Sequence, residues 1–209
     1  MQKTKGGTAG AGPAGTDGGP AAPGTRDRIL AATARLLQRQ GYEASGIKQI
    51  AREADATLGS VYHFFPGGKQ ALAAEAIRHS DEEMTELLRT AMASAEDPAE
   101  AVVTCTRMLG EALRASGWTD GCPVTTTALE TVGRAPDLER ACAEALQHWQ
   151  DVLRDKFRTA GISAADAADL ALTVMNTLEG AEMAAQLRRS EKPLQVAGHH
   201  LERLIRLYL

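Results

Sequence analysis

From Thr25 to its last residue, the chain has no segment that alternates apolar and polar residues with period two, and this excludes a half-buried β-sheet before anything else is known. Ala and Leu dominate and Val and Ile are sparse, and apolar residues recur at the three- and four-residue spacings of helices buried along one face. The chain is read as all-α. Thr25 is placed to cap a first helix carrying Ile29, Ala32, Leu36 and Leu37 on one face, ended by Gly41. Ser45 is placed to cap a short second helix with Ile47, Ile50 and Ala51. After a tight Ala54-Asp55-Ala56 connection, Thr57 is placed to cap a third helix from Leu58 to about Phe64. Pro66-Gly67-Gly68 breaks it, and a long helix follows from about Lys69 to Met92. Further helices are read over about Pro98–Ser116, Cys122–Val132, Pro136–Ala160, Ala164–Arg189 and Pro193–Tyr208.

Two short helices joined by a tight turn form a helix-turn-helix. Its second helix ends in four consecutive ring-bearing residues, Tyr62, His63, Phe64 and Phe65, in a chain only 4% aromatic. On a helix, Val61 and one of the two Phe turn inward onto Ile29 and Ile50. Gly59, Ser60, Tyr62 and His63 then lie around the outer surface, where hydrogen-bonding tips can reach phosphates or base edges. Charge agrees with this division. Residues 25–80 carry eight Lys/Arg against five Asp/Glu, whereas residues 81–209 carry 13 basic against 21 acidic, within an overall charge of −4. A basic front and an acidic back suit a small polyanion-binding module joined to a domain with another task.

The stretch "RILAATARLLQRQGYEASGIKQIAREADATLGSVYHFFPGGKQAL" resembles the DNA-binding domain of TetR-type transcriptional regulators. The Pro-Gly-Gly turn, "GCPVTTTALE" and "LEGAEMAAQLRRSEKPL" resemble the LmrA/YxaF-like branch of that family. Residues 1–24, rich in Gly, Ala and Pro, read as a disordered tail; the resemblance implies a three-helix helix-turn-helix domain at 25–70 and a larger helical ligand-binding and dimerisation domain at 71–209. It implies that Ser45 and Thr57 cap helices at the phosphate backbone, that Lys48 reaches a base or phosphate, that Leu58, Gly59, Ser60, Tyr62 and His63 lie on the recognition helix, and that Lys69 contacts a phosphate. Asp55 stands where the family often has Gly, and Leu58 where it often has a polar or basic residue. The recognition helix therefore lacks Lys and Arg, which disfavours guanine readout from it and favours thymine-methyl contact by Leu58 and readout by Lys48.

By the same resemblance the last two helices form a dimer interface, for which Leu170, Val174, Leu178, Leu201, Leu204 and Ile205 are the candidates. Trp118, Thr125, Thr126, Trp149, Met175 and Glu179 are the candidates to line an effector cavity, as adaptable apolar walls with a few polar points. Cys122, with nothing basic beside it in sequence, reads as a small buried hydrophobe rather than a redox sensor. His199 and His200, adjacent on a helix, point about 100° apart and do not make a metal site. Cys105, Cys122 and Cys142 are too few for a disulfide framework, which fits a reducing cytoplasm. No apolar run reaches the length of a membrane span. No nucleophile–base arrangement, metal spacing or phosphate loop supports an enzyme, and no cofactor is expected. The expected function is a homodimeric, ligand-responsive regulator, most simply a repressor, that binds double-stranded palindromic DNA and is released by a small, mostly apolar effector. A helical interaction module that has lost DNA binding is the alternative that the uncharged recognition helix leaves open.

Overall fold

The computed structural model describes residues 23–209. The expected tail therefore lies outside the described residues, apart from Pro23 and Gly24. Nine helices run through the described residues: α1 (Thr25–Ala44), α2 (Ile47–Glu53), α3 (Leu58–Phe64), α4 (Gly68–Ala93), α5 (Pro98–Ala115), α6 (Pro123–Thr131), α7 (Pro136–Thr159), α8 (Ala164–Arg188) and α9 (Lys192–Arg206). The all-α reading holds, and no strand occurs among these residues. Four helices, α5, α6, α7 and α9, carry Pro in their first turn, where its missing N–H leaves no bond unmade.

The buried residues form two cores. A small one gathers Ile29, Ala32, Leu36, Ile50, Ala51, Ala54, Val61, Phe65 and Leu72 from the first four helices. A larger one, with Trp149, Phe157, Leu138, Leu153, Leu178 and Ile205 among its members, fills the remainder. Two helices serve both. Adjacent residues Leu36 and Leu37 of α1 enter different cores, as do Leu72 and Ile77 of α4. α4 also packs along α7, and α5 along α9.

Gly41 is where α1 bends. Its φ of 76° and ψ of −176° lie in a region open essentially to glycine. A β-carbon built there would stand 2.5 Å from the carboxylate of Glu130 on α6. The bend frees backbone groups, and Glu130 takes two of them: its Oε2 accepts from Tyr42 N at 2.5 Å and Glu43 N at 3.0 Å. Two capping expectations are corrected at this end of the molecule. Gly24, not Thr25, precedes α1. Ser45 does not cap α2; it is buried, and its hydroxyl donates back to the carbonyl of Gly41 at 2.6 Å. That carbonyl lies in the last turn of α1, where no helical N–H reaches it, and Gly46, which has no side chain to offer, stands at the α2 N-cap.

The assignment of α8 and α9 side chains to a partner is also corrected. Leu170, Val174, Leu178, Leu201 and Ile205 are all at most 3% exposed within the single chain, and Leu204 packs half-buried against the same core. They complete the chain's own interior. The apolar side chains that α8 leaves outside are Leu172, Met183 and Leu187, and α9 adds Val196.

Candidate nucleic-acid interface

α2 and α3 are set at an angle by a turn with a residue in the left-handed region, Asp55 at φ 48°. Asp tolerates that conformation better than most non-glycine residues, which accounts for its standing where Gly is common. Arg28 of α1 fastens the turn: Nε donates to Ala54 O at 3.0 Å and Nη2 to Asp55 O at 3.3 Å. Thr57 caps α3 as expected, its Oγ1 accepting from Ser60 N at 3.0 Å while lying 2.9 Å from Ser60 Oγ.

α3 buries one residue of its own, Val61. The following residue, Phe65, is 1% exposed in the small core, whereas Phe64 is 37% exposed. The inward ring is therefore Phe65. Leu58, Gly59, Tyr62 and His63 stay exposed and Ser60 half-exposed. Leu58 and Tyr62, like Gly59 and His63, are four residues apart and share a side of the helix. At the start of α4, Gly68 turns the chain at φ 68°. Lys69 Nζ then donates to Glu43 O at 3.2 Å and stands 4.3 Å from the centre of the Tyr42 ring.

Much of the positive charge of this region is already engaged. Arg26 pairs with Glu75 and lies 5.2 Å from the centre of the Phe65 ring. Arg28 holds the turn, and Arg39 pairs with Asp120 at 2.9 Å. Lys48 and Arg52 are both exposed on α2, four residues apart and on one side. Neither enters an ion pair among the described residues.

Behind this region, a cavity of about 250 Å³ opens among α4, α5, α6, α7 and α8, lined by Ser80, Met84, Leu109, Cys122, Trp149 and Glu182 among others. Glu182 is 8% exposed, and burial, with the Glu179 carboxylate nearby, pushes its pKa up to about 8. Burial likewise raises Glu179, against the opposing hydrogen bonds from Thr125 and Cys122. The Cys122 thiol accepts from Thr125 N at 3.4 Å and is pushed well above the usual thiol range by burial and the two glutamates. It remains protonated, as expected of a structural Cys.

Two family profiles match the chain: residues 29–76 match that of bacterial regulatory proteins of the TetR family, and residues 98–200 that of the LmrA/YxaF-like transcriptional regulator C-terminal domain. The HTH-type transcriptional regulator LmrA of Bacillus subtilis is 34% identical over 170 residues, which span 81% of this chain and 90% of LmrA. The chain belongs to the TetR family. The uncharacterized regulator YxaF of the same organism is 30% identical over 182 residues, spanning 87% of this chain and 95% of that protein. The crystal structure of a TetR regulatory protein from Rhodobacter sphaeroides superposes with a TM-score of 0.78 at 26% identity, covering 86% of this chain and 97% of that one. The chain is thus a transcriptional regulator with a helix-turn-helix for DNA, of a family and with relatives that are regulators rather than enzymes. No helix among the described residues is long and apolar enough to cross a membrane.

In this TetR-family chain the sequence-derived DNA candidates Lys48, Thr57, Leu58, Gly59, Ser60, Tyr62, His63 and Lys69 lie on α2, on α3 with its cap, and at the start of α4, whereas Ser45 is buried. Two cations outside that set stand beside it: Arg28, which holds the turn, and Arg52, which is exposed on α2. The i, i+4 spacing from Lys48 was the available signal for Arg52, while nothing local marks Arg28, whose acceptors lie 26 and 27 residues away. The effector candidates do not all reach the cavity. Trp149 lines the cavity. Glu179 and Thr125 are bonded to each other at 2.6 Å, Thr126 donates to Cys122 O, and Met175 is buried in the large core. Trp118 sits half-exposed after α5 at φ 68°, its N–H donated to Leu113 O at 2.7 Å. Glu182 and Ser80 line the cavity.

Proposed function

We propose that this regulator is a repressor that acts as a homodimer on a palindromic operator in the cytoplasm and is released by a small, mostly apolar effector bound in the domain after about residue 70. The observation that carries the DNA part is the exposed surface of α3, Leu58, Gly59, Tyr62 and His63, next to the cationic side of α2. A gel-shift with the DNA upstream of the protein's own gene is the test, and it separates this reading from an interaction module, which leaves that DNA unshifted. α3 supplies shape, hydroxyl and imidazole groups and the Leu58 methyls, while Lys48 and Arg52 supply charge. Lys48→Ala should cost about 1–3 kcal/mol on the specific site if Lys48 reads a base, and an equal loss on non-specific DNA would make it a phosphate contact only.

Lys69→Ala should weaken binding to all sequences alike and lower the slope of log K against log salt by about 1. Tyr62→Ala should weaken binding without changing that slope, because it removes a neutral contact. Fluorescence anisotropy across a salt series reads both, and unchanged affinity in both variants would contradict the proposed docking.

Leu172, Met183 and Leu187 support dimerisation. The first two are eleven residues apart and the last two four, so all three fall on one side of α8. With the exposed Asn176 and Gly180 between Leu172 and Met183, they make a partly apolar face that a second copy of α8 can cover. Met183→Glu with Leu187→Glu should give a folded monomer without operator affinity, since one half-site is not enough. Sedimentation of the double variant as a dimer would remove this face from the interface.

Release requires that effector and DNA favour different arrangements of the same chain. Continuity of structure supports that coupling. α6 begins at the cavity wall with Cys122 and ends near Glu130, which holds Tyr42 and Glu43 by their backbone N–H groups. Those same two residues hold Lys69.

A further inference from the structure

The cavity among α4 to α8 carries one sign of charge. Glu83, Asp120 and Glu182 line it, and no Lys or Arg does. Asp120 is held by Arg39 at 2.9 Å, and Glu83 lies 3.6 Å from His79. Glu182 differs. It is 8% exposed, and among the described residues nothing donates a hydrogen bond to it: only burial and a like charge act on it. A second buried polar group also faces inward unmet, the hydroxyl of Ser80, which has no hydrogen-bond partner. The groups around Glu182 are Glu179 on its own helix, Glu83 from α4, Cys122 at the start of α6 and Asp120 from the loop before it. α5 brings the buried thiol of Cys105, itself raised by burial and by Glu182, with Leu109 and Leu113, while α7 and α1 bring Trp149 and Gln38. Nothing in this shell neutralises a carboxylate.

Burying an unpaired carboxylate is costly, and a bound opposite charge offsets that cost. An anion would meet the carboxylates of Glu83 and Asp120. A neutral apolar body would fill the cavity and leave Glu182 without an opposite charge. At about 250 Å³, the cavity lies just below the usual range for small-molecule sites, so its occupant is compact. We propose that this cavity is a site for a compact lipophilic monocation, a quaternary ammonium or substituted amine with a small apolar body, whose charged centre lies against Glu182 and whose body lies on Trp149, Met84 and Leu109. The inference deepens the effector reading above and rests on it for its regulatory meaning, though not for binding itself.

Glu182, with a pKa of about 8, holds its proton at neutral pH in the free protein. A cation takes the place of that proton, so binding at pH 7 releases roughly one proton per site. The full chain is titrated by calorimetry with benzyltrimethylammonium in buffers of different ionisation enthalpy. Quenching of Trp149 compares that cation with its neutral carbon analogue, neopentylbenzene. The cation should bind with proton release and more tightly than the analogue. E182Q, shown to be folded by circular dichroism, should release no proton and bind the cation at least about tenfold more weakly. Absent cation binding, equal binding of the neutral analogue, or an unaltered E182Q titration would each overturn the site. Operator affinity is measured separately. Cation binding that leaves the operator bound keeps the site and removes its regulatory role. Release by neutral compounds alone overturns the cation chemistry and keeps effector control.

Discussion

Replacing Phe65 with alanine is expected to melt the helix-turn-helix while the rest of the chain stays folded. The small core has nine members, of which Ala32, Ala51 and Ala54 contribute little area, so Phe65 is its largest apolar group. Truncating a buried Phe to Ala typically costs about 3–5 kcal/mol, through lost transfer energy and the cavity left behind. A core this small has few neighbours able to collapse into the gap. The ring also carries the Arg26 guanidinium, and Arg26 pairs with Glu75 of α4, so the loss reaches the joint with the next helix. Thermal unfolding by circular dichroism should split into two steps. The early step should be silent in Trp fluorescence, because Trp118 and Trp149 both lie outside the small core. Operator binding should be lost below the temperature of the second step. Phe64→Ala is the internal control. At 37% exposure, Phe64 has far less to lose, and its variant should unfold in one step near the wild-type temperature. Equal losses in the two variants would mean that the wrong ring has been placed inside.

That distinction also marks how far the sequence could be read. The helical period and the Gly and Pro breaks locate α3 at Leu58–Phe64 and the long helix after Pro66 with little error, because these are decided locally by backbone conformation; Gly41, read as the end of the first helix, is instead a bend within α1, which runs on to Ala44. Which of two adjacent Phe turns inward is decided by the angle at which α3 meets α1, and adjacency alone leaves it open. Ser45 shows a local signal overridden. A Ser before a helical run is a good cap, but the Gly41 carbonyl in the last turn of α1 takes its hydroxyl instead. The α8 residues show a different limit. A helix with apolar residues all round carries no mark of which side meets its own chain and which a partner, and the longest stripe turned out to be the chain's interior. In the cavity, the sequence pointed to Glu179 and passed over Glu182, because α8 carries a second pair of acids three residues apart, Asp166 and Asp169, and spacing alone does not say which pair is buried. Glu130 had no signal at all. Its partners, Tyr42 and Glu43, lie 88 and 87 residues away, and only the packing of α6 on α1 brings them together.

Glu182→Gln should stabilise the ligand-free protein, and by an amount that grows with pH. The sign follows from linkage. The folded-state pKa of Glu182 is about 8, against 4.5 for the ordinary carboxyl, so between those values the folded chain holds a proton that the unfolded chain has lost. Stability falls with rising pH wherever the folded state binds more protons. The wild-type chain should therefore lose stability from this group as pH climbs from about 4.5 to about 8, with no further loss above. Gln has no proton to lose and keeps nearly the same shape, so the difference between the two proteins isolates the one group while every other titration cancels. At about 1.36 kcal/mol per pH unit, the advantage of the variant should reach roughly 2–5 kcal/mol at pH 8.5 and shrink toward zero near pH 4.5. Denaturant midpoints at a series of pH values read it directly. Glu179→Gln should show a weaker effect, since Glu179 holds a hydrogen bond from Thr125 at 2.6 Å that favours its charged form and that Gln would weaken. A Glu182→Gln advantage independent of pH would show that the carboxylate is solvated in the folded chain. A Glu182→Gln penalty would show that it has a donor partner in solution. The expected gain has a functional reading as well. A side chain that weakens the empty protein, and whose removal strengthens it, is held in place by something other than stability, and here the available candidate is the charge it offers to an occupant of the cavity.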